Sequence, residues 1–581
     1  MSGPDIPSSP VGARRWLLGR VGTALRLESE DGRDAVETTA ADLPRAVSDV
    51  QRSAAAPIRW VWSDSAAWYP DLLATGVRVS RAHDLRLAHA ILARSALADG
   101  DGAAALRRRE EWDRPAALPS PPADDEGALF PLATDGGRDA EVPASLADVR
   151  DELARQDALI EAEPHGRLRM LVAAESAGAL AASEMHREGV PWDVEEHERI
   201  LVRELGERAG PGAVPARMAE VGAEVREALG DPELALDSPV QVLRALRRAE
   251  IDVRSTSKWE LAGHDHPAIA PLLRYKQMSR LLTANGWAWL DAWVTDGRYR
   301  PIYVPGGVVT GRWAANGGGA LQVPRMLRPA VRADPGWVLV AADVSQLEPR
   351  VLAAMSGDDA MARAGRGRDL YAGIMESGIV ATRQEAKIGV LASLYGSTTG
   401  DAARLVPRLR EAFPAAMALV DRAAATGERG ATVSTWLGRS SPDPAPFRAA
   451  QARANSADSS AAEQERGRRA ARERGRFTRN FVVQGTAAEW ALVWIALIRE
   501  GLAALGTSDA LEASTAWRSD APHLVYFLHD EVIVHSPEES ADAVAGIIRD
   551  AATGAGRILF GESGVDFPLD LSIGVRAVTK G

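Results

Sequence analysis

The sequence predicts a multidomain α+β protein: a small α/β unit, a linker, then a larger body of helices and short strands. Three observations predict it. At 581 residues the chain is too long for one core. A Pro-, Asp-, Gly- and Ala-rich stretch without periodicity, residues 113–145, divides two differently patterned regions. Beyond it, helical periodicity is broken by apolar runs of strand length.

In residues 1–112, Trp16–Val21, Thr23–Leu27 and Ile58–Trp62 read as strands, and Asp84–Ala98 as an amphipathic helix. After the linker, helical spacing runs through Arg167–Arg187, Val194–Arg208 and Pro239–Ala249, with Gly- and Pro-rich breaks at 209–215 and 230–239. Tyr299–Gly319 is Gly-rich and strand-like and holds Thr310-Gly311-Arg312. Trp337–Ala342 is a continuous apolar run, the mark of a buried strand, and ends at Asp343. Helical pattern follows over Gln346–Met355 and 358–437, while residues 440–465 are polar and expected to be mobile. A long helix, Gly485–Gly501, precedes a hairpin of Leu524–Leu528 and Glu531–His535 that turns at His529-Asp530.

Composition limits the function. The longest apolar runs are too short for a membrane span, and Met1–Pro10 lacks the pattern of a signal peptide, so a cytoplasmic protein with no membrane partner is expected. The absence of cysteine excludes disulfides and thiolate metal sites, leaving carboxylates and histidines as ligands. A net charge of −12 excludes a generally basic nucleic-acid coating protein. A local basic zone exists: Arg466–Arg479 carries seven arginines against one acid, Glu473.

Three stretches carry chemistry. In Thr382–Gly396, Arg383, Lys387, Leu391 and Tyr395 share one helical face, with Thr382 and Glu385 as a capping box and Gly396 as a stop. Two cations near a helix N-terminus suit a bound phosphate, although a solvated charged stripe looks the same. Asp343 ends a buried strand, where it serves either a cleft or the cap of the next helix. Asp530 and Glu531 sit at a hairpin tip, where Asp is also common for backbone reasons. If the two strands are neighbours, Asp343 and Asp530 could share divalent cations.

The order Asp343-Val-Ser-Gln-Leu-Glu-Pro-Arg350, then Arg383-x3-Lys387-x7-Tyr395-Gly396, then His529-Asp530-Glu531 resembles motifs A, B and C of the family A DNA polymerases. Thr310-Gly311-Arg312 with Leu321-Gln322, and Arg476, Asn480 and Gln484 in R-x3-N-x3-QGTAAE, extend the match. Asp237-Ser238-Pro239 with Gln241, and Tyr275-Lys276, resemble that family's thumb, so the resemblance covers Leu168–Gly581.

The resemblance implies a right-hand polymerase of thumb, palm and fingers. Residues 146–298 would form the thumb and connecting helices, 299–357 the palm with motif A, and 358–440 the fingers with motif B. Residues 441–475 would be a mobile basic insertion and 476–581 the palm with motif C. The implied reaction is template-directed addition of deoxynucleotides to a primer 3′ end by two-metal phosphoryl transfer, using two Mg2+ with Mn2+ as a substitute. Asp343, Asp530 and Glu531 would be catalytic, with Asp343, Asp530 and the Val344 backbone carbonyl as metal ligands. Arg383, Lys387 and His529 would meet the triphosphate. Gln346, Glu348, Leu391 and Tyr395 complete the nucleotide site, Glu348 and Tyr395 excluding a ribose 2′-hydroxyl.

Arg312, Gln322, Arg476, Asn480 and Gln484 would line the minor groove of primer–template DNA, where contacts give little sequence readout. The implied partners are primer–template DNA and deoxynucleoside triphosphates, bound by a monomer. Leu129-Phe130 faintly resembles short motifs that dock on sliding clamps.

The departures are specific. Leu391 stands where the family has Phe or Tyr, which removes a stacking ring, and Val344 and Pro349 replace commoner Tyr and Leu. Residues 58–98, above all His83–Leu92, resemble part of a 3′–5′ exonuclease, but the carboxylates for two-metal hydrolysis are missing. Only Glu28-x-Glu30 follows the first strands, Ala67-Trp68-Tyr69-Pro70 replaces the second acidic motif, and no Tyr-x3-Asp follows in register. A degenerate exonuclease-like domain without proofreading is expected, and no 5′-nuclease domain. Retained weak exonuclease activity and a non-catalytic DNA-binding scaffold are the alternatives. The presence of Asp343, Asp530, Arg383 and Lys387 argues against the scaffold.

Overall fold

The computed structural model describes residues 14–98, 100–114, 142–210, 213–316, 323–397, 399–456, 458–505, 512 and 515–576. Most of the expected linker, Leu129-Phe130 and Gln322 lie outside the described residues.

β1 (Arg15–Val21), β2 (Ala24–Ser29), β3 (Ala35–Thr38), β4 (Arg59–Trp62) and β5 (Arg81–Asp84) form one sheet in the order β3-β2-β1-β4-β5. The first three strands pair antiparallel, whereas β1, β4 and β5 run parallel. Parallel strands need helices on their faces, and here Trp60, Val61 and Trp62 are wholly buried. β3 is a short, largely exposed edge strand and β5 reads Arg-Ala-His-Asp, so neither shows a strand pattern in sequence. The expected helix Asp84–Ala98 is shorter, Leu85–Leu92, with Asp84 as its cap.

The helix Arg167–Glu188 docks this unit on the rest of the chain. Its Glu184 accepts from Tyr69 Oη at 2.6 Å and from Arg499 Nε and Nη2 at 2.8 and 2.6 Å. Gly178 lets the same helix press on the helix carrying Arg499, because a Cβ there would stand 2.8 Å from Leu492.

Helices Val194–Leu205, Ala216–Ala228, Pro239–Arg248 and Ile269–Asn285 enclose a separate core that includes Ile200, Val225, Leu246 and Leu272. Short strands β6 (Val190–Pro191), β7 (Val294–Thr295) and β8 (Arg298–Tyr299) pair beside the hairpin β9 (Ile302–Val304) and β10 (Ala314–Asn316).

The central sheet holds β11 (Trp337–Val344), β12 (His523–Leu528), β13 (Glu531–Pro537) and β14 (Leu569–Gly574), ordered β12-β13-β11-β14 and antiparallel throughout. β11 is buried along nearly its whole length, which explains its unbroken apolar run. Helices Ala461–Ala504 and Ala541–Phe560 contribute to its apolar cover.

The stretch expected to be mobile is folded. Ala445–Ala454 is a helix, and Ser460 with Glu463 forms a capping box that starts a 44-residue helix at Ala461. Gly467 gives the two helices a close approach to Ala454, and Gln451 donates to the Gly467 carbonyl at 2.6 Å. Alanine, mistaken for a marker of irregular chain, here provides both propensity and close packing. The long helix alone among the described residues is long and apolar enough to cross a membrane, but 78% of its apolar window is buried inside the fold.

Candidate active site

Backbone register brings the acids together. Asp343 on β11 lies opposite Glu531 on β13 and Asp570 on β14. His529 takes a left-handed conformation, φ 56°, and turns the hairpin so that the Val344 amide donates to the Asp530 carbonyl at 2.9 Å. The capping role for Asp343 is excluded, because the helix Leu347–Ser356 starts from Gln346.

Like charges directly opposite one another repel. Burial, followed by Asp530, Glu531 and Asp570, pushes the Asp343 carboxyl up to about 7. Burial above all raises Asp530 to about 6. Arg328 is 4.0 Å from Glu531, at the edge of this cluster. Such a site favours a cation. The donors are all oxygens, which suits a hard ion such as Mg2+. Among the described residues no group of three or more side chains is arranged to hold a metal alone. Mg2+ is commonly held by one or two carboxylates and completed by substrate phosphate and water. Asp570 was not anticipated, since one acid in Leu-Asp-Leu-Ser carries no distinctive spacing.

A cleft of about 320 Å3 opens beside these acids, lined by Asp530, His529, Gln346, Glu348, Leu391 and Tyr395 among others. Tyr395 Oη donates to Glu348 at 3.0 Å, which brings these two expected site residues together at the cleft. Arg312 lines the cleft and pairs with Glu348. Burial and the nearby Arg312 push His529 down to about 4, leaving a neutral imidazole at physiological pH.

The helix Arg383–Tyr395 forms as expected: Thr382 accepts from the Glu385 amide at 3.1 Å, and Gly396 closes it at φ 70°. The capping box is displaced, however, because Glu385 reaches back to the Ala381 amide at 2.8 Å. Arg383 grips Asp369 through Nε at 3.2 Å and Nη2 at 2.6 Å. Lys387 is exposed and has no ion-pair partner among the described residues. Leu391 and Tyr395 reach the cleft, while the two cations lie further out along the same face. Arg476, Asn480 and Gln484 recur every fourth residue on the 44-residue helix, hence on one face. Arg476 packs beside Gly396, where a Cβ would stand 3.0 Å from Arg476 Cγ, and Asn480 Oδ1 has no hydrogen-bond partner among the described residues.

The acids of the N-terminal unit are engaged otherwise. Buried Asp84 accepts from the Leu87 amide at 2.9 Å and the Ser65 amide at 2.7 Å. Asp64 accepts from the Ala66 amide at 3.0 Å and from Arg86 Nε at 3.0 Å. A guanidinium thus stands against the Asp64 carboxylate. Asp84→Ala is expected to lower stability by about 1–2 kcal/mol through loss of a buried cap, without altering any 3′-end degradation. Melting curves and a mismatched-primer assay check both parts.

The model of DNA polymerase family A matches residues 212–576. DNA polymerase I of Chloroflexus aurantiacus is 29% identical over 326 residues, which are 51% of this chain and 31% of that protein. The thermostable DNA polymerase I of Thermus filiformis is 26% identical over 440 residues, 66% of this chain and 48% of that protein. The chain therefore spans less than half the length of these relatives. Its fold resembles the POL domain of Pol1 from M. smegmatis, in complex with DNA primer-template and dNTP, with a TM-score of 0.64 at 18% identity, covering 97% of this chain and 95% of that one. With most of its length matched by the family model, the chain belongs to DNA polymerase family A.

Proposed function

We propose that this chain is a template-directed DNA polymerase that extends primer 3′ ends with deoxynucleotides and does not proofread. The observation that carries the reading is the meeting of Asp343 and Asp530 across neighbouring strands, beside a cleft walled by Glu348 and Tyr395. The M. smegmatis relative, bound to DNA primer-template and dNTP, supports the same substrates here. Residues 146–298 then act as thumb and connecting helices, 299–357 and 476–581 as palm, and 358–440 as fingers.

Asp343, Asp530 and the Val344 carbonyl would hold two Mg2+ ions, or Mn2+ in their place, with Glu531 adding negative charge beside them. When bound, the metals supply charge neutralisation and in-line orientation of the attacking and leaving oxygens. Lys387 attracts the triphosphate, and Arg383 exchanges Asp369 for a phosphate as the nucleotide enters. His529 offers a neutral hydrogen-bonding imidazole at the cleft. The Glu348–Tyr395 pair occupies the space of a ribose 2′-hydroxyl. Arg476, Asn480 and Gln484 face the minor groove, and the arginines of 466–479 give phosphate contacts despite the acidic total.

The reading is tested by primer extension with Mg2+ and four deoxynucleotides, comparing the wild type with Asp530→Ala. Extension by the wild type alone is expected. Failure of the wild type to extend would favour a scaffold, and shortening of the primer a nuclease. Leu391→Phe restores a ring beside the sugar, and a change in dideoxynucleotide selectivity of about five-fold or more is expected, within the range of one stacking contact. Unchanged selectivity in a competition assay would remove Leu391 from nucleotide selection.

A further inference from the structure

The helix Ala461–Ala504 passes the cleft at Ala487 and Ala488, beside Asp530. Toward its N-terminus, Gln484, Asn480 and Arg476 step away from the acids while the helix seats on Pro414–Glu428, where Thr478 Oγ1 donates to the Ala423 carbonyl at 2.8 Å and Arg479 pairs with Asp421. About four further turns, Ala461–Gly475, lie N-terminal to that contact. They are braced along one face. Gly467 meets the helix Ala445–Ala454, and the Arg474 guanidinium lies 5.4 Å from the Phe447 ring centroid and donates to the Pro442 carbonyl at 3.2 Å. Arg448 of the bracing helix in turn donates to the Gly430 carbonyl at 3.2 Å. On the opposite face Arg469, Arg472 and Arg476, spaced i, i+3 and i+7, are all exposed.

Residues 445–476 hold eight arginines against four acids, in a chain whose net charge is −12. Arg469 pairs with Glu473 at 2.9 Å and Arg472 with Glu465 at 3.0 Å, but all four side chains are at least half exposed. Exposed pairs of this kind hold weakly and exchange readily for a phosphate oxygen. A helical segment of about four turns standing alone in water would be marginal. A merely solvated charged stripe would need no second helix to hold it in place. From Arg469 to Arg476 the ridge runs about 10 Å, the span of about three phosphates along one strand.

We propose that the braced ridge carrying Arg469 and Arg472 binds the sugar–phosphate backbone of the unpaired template strand just ahead of the nucleotide site. The proposal rests on the polymerase reading and deepens it by assigning a strand and a position to a surface outside the three motifs. Direction along the helix selects the strand. Asp530 marks the primer 3′ end, and the helix leaves it by way of Gln484, Asn480 and Arg476, so the strand met next is the template. Position in the fold selects the unpaired part. The product duplex lies toward the thumb, whereas the ridge continues from the fingers, on the side where template remains to be copied. Contacts to phosphates alone suit a strand of any sequence.

The test measures equilibrium binding of the full chain to two primer–templates with the same duplex, one with a long 5′ template overhang and one with a single-nucleotide overhang. The readout is the ratio of the two affinities. In the wild type the long overhang is expected to bind more tightly, and its advantage to fall about seven-fold between 50 and 200 mM salt, the effect of two phosphate contacts on a single strand. In Arg469→Gln/Arg472→Gln the advantage is expected to vary less than about two-fold over the same range. Arg469→Lys/Arg472→Lys keeps the charge and is expected to keep the salt dependence. A wild-type ratio insensitive to salt overturns the proposal, as does a ratio unchanged by the glutamine substitutions. Equal weakening on both substrates also overturns it, by placing the contact on the duplex. Should the glutamine variant not fold, hydroxyl-radical footprinting of the wild-type complex decides: protection of about three template nucleotides ahead of the copied base supports the contact, and its absence overturns it. If the wild type neither extends primers nor binds either substrate, the polymerase reading and this inference fall together. Wild-type extension with equal affinity for both overhangs removes the inference alone.

Discussion

Asp343→Asn is expected to slow nucleotide incorporation by about 10³-fold or more, equivalent to roughly 4 kcal/mol of barrier. The same variant is expected to melt at a higher temperature than the wild type when divalent cations are absent. Both effects have one cause. Asp343 faces Glu531 and Asp570 across the sheet, and Asp530 lies beside it at the hairpin tip. That concentration of negative charge is unfavourable in the empty fold and useful only when cations enter. Asparagine retains the size of the side chain, removes the repulsion and removes a metal ligand. Stability lost to charge repulsion at such a site is the usual trade against activity. Single-turnover kinetics and calorimetry with a chelator measure the two halves separately. Near-normal incorporation by Asp343→Asn would contradict its role.

Arg499→Met is expected to destabilise the protein by about 3–5 kcal/mol, because it leaves Glu184 as an uncompensated buried charge. Arg499 is 4% exposed, and its donors reach Glu184 twice and the Ser80 carbonyl at 2.8 Å. Tyr69 of the N-terminal unit completes the network through Glu184. The pair therefore ties together three parts of the chain: the first sheet unit, the helix Arg167–Glu188 and the 44-residue helix. Glu184→Gln combined with Arg499→Met is expected to cost less than the sum of the single changes, since the second removes a charge that the first leaves unpaired. Denaturant unfolding gives the values. A loss below about 1 kcal/mol for Arg499→Met would mean that the network is not a structural tie.

The site was more legible in sequence than the fold around it, for physical reasons. Asp343, Asp530 and Glu531 sit on apolar strands whose lengths and turns announce themselves, so their meeting could be anticipated before any register was known. The helix Arg383–Tyr395 declared its own cap, face and stop. Asp570 could not be found, because its significance comes from a cross-strand partner more than two hundred residues away. The helix Ala445–Ala454 is hard to read from sequence because the serine and proline around it resemble a linker, although its alanines favour a helix. Arg312 shows the converse limit. Its motif was evident, but its pairing with Glu348 belongs to the folded cleft.

The most direct test of template direction uses one nucleotide at a time. On a primer–template with a defined next base, the wild type in Mg2+ should incorporate the complementary deoxynucleotide and discriminate against the other three and the matching ribonucleotide. Incorporation that ignores the template base, or none with any nucleotide, would contradict a template-directed polymerase built on Asp343 and Asp530.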